Sequence, residues 1–171
     1  MRREPAARWH IDRLDKKHDR AWFDCGVKEL NDFLRSYARQ NQDADISRTW
    51  VATELGSPKV VGYYTLSAAS IARAAVPTSA GRLPPYPVPA VHLGRLGVSR
   101  ECSGQRLGET LLLHALEQVR ISDVVGVRVV EVRAKDARAR GFYERYGFER
   151  LIDDPLHLYL SLKKIAAALG D

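Results

Sequence analysis

The sequence predicts an α/β (α+β) domain whose central sheet is mixed but mostly antiparallel, with one parallel pair in its middle and helices on its flanks. Three observations predict it. Segments rich in β-branched and aromatic residues alternate with longer segments of helical apolar spacing. These segments run in the order β-αα-βββ-α-β-α-β. The chain has 171 residues, 45% of them hydrophobic and 28% charged, which is ordinary globular usage for one core. A single domain over residues 1–171 is therefore expected.

Each element has its own signal. Trp9 to Leu14 reads as a short first strand. FDCGVKELNDFLRSYARQNQ reads as an amphipathic helix, with Val27, Leu30, Phe33, Leu34, Tyr37 and Ala38 on one face and Lys28, Arg35, Arg39 and Gln40 on the other. RTWVATEL and KVVGYYTLSAASI are strand-like, and the intervening GSP makes them a hairpin. Five prolines between Val76 and Pro89 exclude a helix or an internal strand there, so a stiff surface loop is expected. VHLGRLGV is the next strand. A helix follows from about Arg106 to Ile121, striped by Leu107, Leu111, Ala115, Leu116 and Val119. VGVRVVEV is a strand, ARARGFYERYG is a helix stopped at Gly147, and FERL and HLYLSL supply closing strands.

Composition bounds the function. No apolar run approaches the roughly 18 residues of a membrane span, and the start, MRREPAARWHIDRL, has no signal-peptide stretch. A cytoplasmic protein is expected. Cys25 and Cys102, the two cysteines, do not make a disulfide framework or a C-x-x-C metal site and read as reduced thiols. A net charge of +6, concentrated at Arg2/Arg3, Lys16/Lys17/Arg20 and Arg133/Lys135/Arg138/Arg140/Arg145, suits a polyanionic partner or a solvated basic face.

Most of the chemistry lies in LGRLGVSRECSGQRLGETLL. A strand ends near Val98, a short loop contains Ser103 and Gly104, and a helix opens at Gln105, Arg106, Leu107 and Gly108. Unpaired N–H groups at a helix start, with about half a positive charge, suit a pyrophosphate. Gly104 and Gly108 allow close approach of the backbone, and Arg106 offers a charge-assisted bond. The spacing is neither a P-loop nor a dinucleotide fingerprint.

This strand-loop-helix resembles the acetyl-CoA signature of the GNAT acetyltransferases, Gln/Arg-x-x-Gly-x-Gly/Ala. Gly108 matches its last glycine, whereas Ser103 stands at its first position and Arg106 at its middle glycine. FDCGVKELNDFLRSYARQNQ, SRTWVA, VVGYYTLSAASI, PPYPVPAVHLGRLGV and RARGFYERYGFERLIDDPLHLYLSL resemble, in that order, the acetyltransferase toxins of type II toxin–antitoxin pairs. The likeness covers roughly Asp24 to Leu162.

The resemblance implies a GNAT fold splayed at the acetyl-CoA site, with acetyl-CoA as co-substrate and no metal. It implies transfer of the acetyl group to the α-amine of an aminoacyl-tRNA, which blocks translation. It also implies silencing by a ribbon-helix-helix antitoxin and a homodimer. Tyr143 is expected to give a proton to the departing CoA thiolate. Leu96 and Val98 are expected along the pantetheine arm, with the Val98 N–H facing the oxyanion. An α-amine has a pKa of about 7.7, so part of it is neutral at pH 7 and a strong base is dispensable. Arg35, Arg39, Arg138, Arg140 and Arg145 are the candidates for tRNA phosphates.

The alternatives weigh less. A lysine ε-amine, with a pKa of about 10.4, calls for an acidic base. Of the acidic residues only Glu101 and Glu131 fall near the right strands, and neither stands in a convincing base position. A cysteine nucleophile at Cys102 lacks a histidine partner. His92, His114 and His157 lack metal spacing, and Asp153 and Asp154 read as a turn. A non-catalytic module binding acyl-CoA or RNA is a third class, which thioester turnover separates from the other two.

Overall fold

A computed structural model describes residues 8–169; the basic pair Arg2 and Arg3 lies outside them. Among the described residues seven strands make one sheet: β1 (Trp9–Arg13), β2 (Arg48–Glu54), β3 (Val60–Ile71), β4 (Val88–Val98), β5 (Val129–Arg133), β6 (Glu149–Arg150) and β7 (His157–Ser161). Their order is β1-β2-β3-β4-β5-β7-β6. β1 with β2, β5 with β7 and β6 with β7 are antiparallel, while β4 and β5 form the expected parallel pair. The helices are α1 (Lys28–Asp32), α2 (Ala38–Asp43), α3 (Leu107–Ile121), α4 (Ala137–Glu144) and α5 (Leu162–Ala168).

Contacts divide the chain into two compact units, one of Met1–Thr65 with Arg95–Leu112 and the other of Leu66–Gly94 with Leu113–Asp171. In the first unit, Leu14, Phe23, Phe33, Leu34, Ala38, Val51, Val60 and Tyr63 form a core. Phe23 meets Tyr63 edge-on at 5.4 Å, and Phe33 stacks on Tyr63 at 6.2 Å. Gly62 admits the first turn of α3 closely: a Cβ there would sit 3.0 Å from side-chain carbons of both Leu107 and Leu111. In the second unit, Ile71, Val76, Val88, Ala90, Val129, Leu151 and Tyr159 cluster on one face.

Four expectations change. The first helix starts at Lys28, just after Gly26 and with Glu29 in its first turn as expected, and the side chains of Asp24 and Asn31 accept the N–H groups of Gly26 and Cys25 and hold the stretch before it as a turn. It then passes through a π-helical turn, Phe33–Tyr37, before α2. Val88 and Pro89, expected in a loop, belong to β4. Proline lacks only the donor, and Pro89 uses its carbonyl to accept the Arg128 N–H at 2.9 Å. β5 begins at Val129, leaving Val124 and Val125 exposed. Finally, the sequence does not predict α5, since LKKIAAA carries little apolar periodicity beyond Ile165, its single buried residue.

Candidate acetyl-transfer site

After β4, a 3-10 turn at Arg100–Cys102 leads into the loop that opens α3. The loop is anchored from below. Ser99 N–H bonds to Val61 O at 2.8 Å, Arg100 N–H to Asp24 O at 2.9 Å, and Leu107 is buried. Gly104 has φ +76°, and a Cβ there would meet nothing within 4 Å. Arg106 has φ +65°. A side chain in this left-handed region costs roughly 1–2 kcal/mol. Arg106 thus takes a left-handed conformation of the kind that favours glycine.

The anchored loop presents the first N–H groups of α3, which have no partners within the helix, with Ser103 and Arg106 exposed beside them. Gln105 Oε1 is buried without a partner. Positive-φ residues, free amide donors and a cation fit a pyrophosphate-bearing co-substrate. Leu96 and Val98 are half-buried on the last part of β4. β4 pairs with β5 only as far as Leu93↔Val132, so Gly94 to Val98 run on without it.

In the second unit, the Asp136 side chain caps α4 by accepting the Ala139 N–H at 2.8 Å. Tyr143 is the buried residue of α4 and is 8% exposed. Phe142 and Phe148 pack against its ring at 5.2 and 5.5 Å. Burial pushes its hydroxyl up to about 12, so it stays protonated near neutral pH. The hydroxyl has no hydrogen-bond partner among the described residues, yet it is not one of the sealed-off polar atoms. It remains available as a donor. Gly147, φ +93°, stops the segment as expected.

The arginines divide by their engagement. Arg35 donates to Phe23 O. Arg140 lies 3.2 Å from Glu144 and donates to Pro155 O at 3.5 Å. Arg145 lies 5.8 Å over the Phe142 ring. Arg138 is exposed and Arg39 half-buried. Two further arginines, Arg82 and Arg128, were not singled out by the sequence. They border a cavity of about 250 Å³ together with exposed Tyr86.

Sequence reasoning also set aside Glu131. In the structure it is buried between His92, whose Nδ1 is 2.5 Å away, and His157, which in turn reaches Asp153 at 3.0 Å. Burial alone would raise the Glu131 carboxyl, but the two imidazoles outweigh it and hold it below its ordinary value. Only strand register could have revealed this, because His92 and Glu131 are partners across the parallel pair. Cys25 and Cys102 are free, and burial pushes the Cys102 thiol up, away from a reactive thiolate. Among the described residues no group of three or more His, Cys, Asp or Glu side chains could hold a metal ion.

An open mixed sheet, a central parallel pair, a helix-start loop and an un-ionised tyrosine are the parts of an acyl-transfer fold. Residues 45–150 match the family described as Acetyltransferase (GNAT) domain, and the chain belongs to it. It is an acetyl-CoA-dependent N-acetyltransferase.

The relatives narrow the class. A tRNA-acetylating toxin of Mycobacterium tuberculosis is 38% identical, covering 93% of this chain and 95% of its own. A probable toxin TacT of Sinorhizobium fredii is 31% identical, covering 96% and 97%. The structure of AtaT complexed with acetyl-methionyl-tRNAfMet matches at a TM-score of 0.86 and 32% identity, covering 93% of this chain and 98% of that one. Related structures hold AtaTR with acetyl-CoA and AtaT with the C-terminus of the antitoxin AtaR. These findings support acetyl transfer to aminoacyl-tRNA.

Proposed function

We propose that the chain, acting as one domain over residues 1–171, acetylates the α-amine of aminoacyl-tRNA and so arrests translation as the toxin of a toxin–antitoxin pair. The observation that carries this reading is the match, over 93% of the chain, to AtaT in complex with an acetylated aminoacyl-tRNA. A ribbon-helix-helix antitoxin is its proposed partner, a homodimer its proposed state and the cytoplasm its proposed compartment. No described helix is long and apolar enough to cross a membrane.

When bound, acetyl-CoA supplies an activated thioester. Ser103, Gly104, Gln105, Arg106, Leu107 and Gly108 line its phosphates, held by the backbone N–H groups that remain free, since those of Ser103 and Gln105 donate to Arg100 O and Cys102 O, and by the Arg106 guanidinium. Leu96 and Val98 flank the pantetheine arm, and the Val98 N–H faces the developing oxyanion. Tyr143 donates toward the leaving sulfur. A hydroxyl at about 12 loses its proton to a thiolate near ~8.5 only uphill. Tyr143 must therefore regain a proton from the attacking nitrogen in the same event.

Arg35, Arg39, Arg138, Arg140 and Arg145 meet tRNA phosphates, with Arg138 the least engaged elsewhere. Arg82, Arg128 and Tyr86 offer cations and a stacking face to a single-stranded end. The test mixes the protein with labelled acetyl-CoA and charged tRNA, using deacylated tRNA as control. Label on charged tRNA alone is expected. No label on tRNA, with acetyl-CoA still bound, moves the acceptor to a protein or polyamine amine.

A further inference from the structure

A cavity of about 380 Å³ opens beside the first helix, lined by Glu29, Asp32, Phe33, Tyr37, Asn41 and Arg95. All of these residues belong to the compact unit that also holds the loop Ser103–Gly108. Phe33 and Tyr37 are the first and last residues of the π-helical turn, in which the Ala38 N–H reaches back to Phe33 O. Such turns are frequent at functional sites. Phe33 is buried and Tyr37 exposed, so the turn puts one ring in the core and leaves the other open to a ligand.

Arg95 is the group without a polar partner. Its guanidinium lies 3.6 Å over the Phe33 ring and makes no hydrogen bond or ion pair among the described residues, although the side chain is half-buried. A guanidinium held flat on an aromatic face keeps its N–H fork free for an anion. Of the two carboxylates, Asp32 is matched by Lys28 at 2.5 Å, and Glu29 is exposed. Arg95 is therefore an ordered, unmatched cation in the wall of an open cavity.

Arg95 precedes Leu96 and stands about 10 Å along β4 from Val98. Its face of the strand is marked by Gly97, where a Cβ would meet Tyr63, Phe23 and Cys25 at 3.3 to 3.6 Å. Leu96 and Val98 alternate onto the other face. On that side Gly62, which alternates with Tyr63 on β3, packs against Leu107 and Leu111 of α3. Two co-substrates can thus meet on one stretch of strand, acetyl-CoA from the α3 face and the acceptor from the cavity.

We propose that this cavity seats the terminal nucleotide of the charged tRNA, with the Arg95 guanidinium forked onto its 5′-phosphate and Tyr37 stacked on its base; this rests on the aminoacyl-tRNA reading. That phosphate is the last one before the reacting amine. One ribose and one aminoacyl group separate the two, a span that fits the distance from Arg95 to Val98. Holding the phosphate at Arg95 therefore sets how far the amine reaches along β4. The single-stranded end is longer than one nucleotide, so this seat leaves the cavity of Arg82, Arg128 and Tyr86 to the nucleotides before the last.

A substrate without the phosphate separates this role from a structural one. The experiment measures kcat/KM on the 3′-O-aminoacyl esters of adenosine 5′-monophosphate and of adenosine, beside charged tRNA, with acetyl-CoA affinity as the folding control. The wild type is expected to favour the phosphate-bearing ester by about 10- to 100-fold. Arg95→Gln is expected to bring that ratio to about one and to leave the adenosine ester within about threefold of wild type. Tyr37→Ala is expected to lower both esters alike by about tenfold, and Tyr37→Phe neither. Acetyl-CoA affinity is expected to stay within about twofold throughout.

An Arg95→Gln variant that keeps the wild-type ratio, or that loses both esters equally, overturns the proposal. If it no longer binds acetyl-CoA, Arg95→Lys decides by the same ratio, since it keeps the charge and loses the fork. Lost binding in both variants assigns Arg95 to folding and overturns the proposal. So does a wild type that labels charged tRNA but shows no preference between the esters. A wild type that binds acetyl-CoA but labels no charged tRNA sinks the substrate reading instead, and this proposal with it.

Discussion

The loop Ser103–Gly108 and the cluster around Glu131 gather polar groups in opposite ways. In the loop the backbone supplies the chemistry: N–H donors at a helix start, and left-handed conformations at Gly104 and Arg106. In the cluster everything comes from side chains, held within hydrogen-bond distance by the registers of β4, β5 and β7. A backbone-made site depends less on side-chain identity, since a non-glycine residue, Arg106, takes the left-handed conformation there. A side-chain cluster does not, because removing one charge leaves its buried neighbour unpaired.

Five substitutions test this contrast. The largest effect is expected at a side chain: Tyr143→Phe should lower turnover by about one to three orders of magnitude and leave acetyl-CoA affinity nearly unchanged. Stopped-flow turnover beside calorimetric binding checks it, and an equal loss of both would contradict the donor role.

Next comes acid stability. Glu131 and Asp153 both titrate below their ordinary values in the folded chain. Their contribution is therefore complete above about pH 5 and is lost as pH falls through and below about 4. Denaturant unfolding from pH 6 to 3 should show Glu131→Gln less stable than wild type at pH 6, with the gap closing toward pH 3. A gap of constant size would contradict the linkage.

A smaller change is expected in the loop. Arg106→Gly should relieve about 1 kcal/mol of backbone strain and raise the melting temperature by a few degrees. The same change should weaken acetyl-CoA binding by about three- to tenfold through the lost guanidinium. Unchanged melting would mean that the strain is compensated elsewhere. Smallest of all, Arg138→Glu should reduce the salt dependence of tRNA use by about one unit of slope. Arg140→Glu should act less on tRNA, because Arg140 is already held by Glu144 and Pro155.

The sequence by itself determined much of this protein. Runs of β-branched and aromatic residues placed nearly every strand, the apolar stripe from Leu107 to Val119 placed α3, and Gly147 marked the end of its segment, because composition, period and turn chemistry are local properties. The loop was legible for the same reason, since a helix start after a strand can be recognised from its neighbours. Tertiary structure alone decided the rest. Pro89 enters a strand because Arg128 asks only for its carbonyl. The helix that follows Gly26 is interrupted by a π-helical turn at Phe33–Tyr37. His92, Glu131, Asp153 and His157 lie up to 65 positions apart in the chain, which is the span from 92 to 157. No local pattern brings them together; strand register does, and register is fixed only when the whole sheet closes on its core.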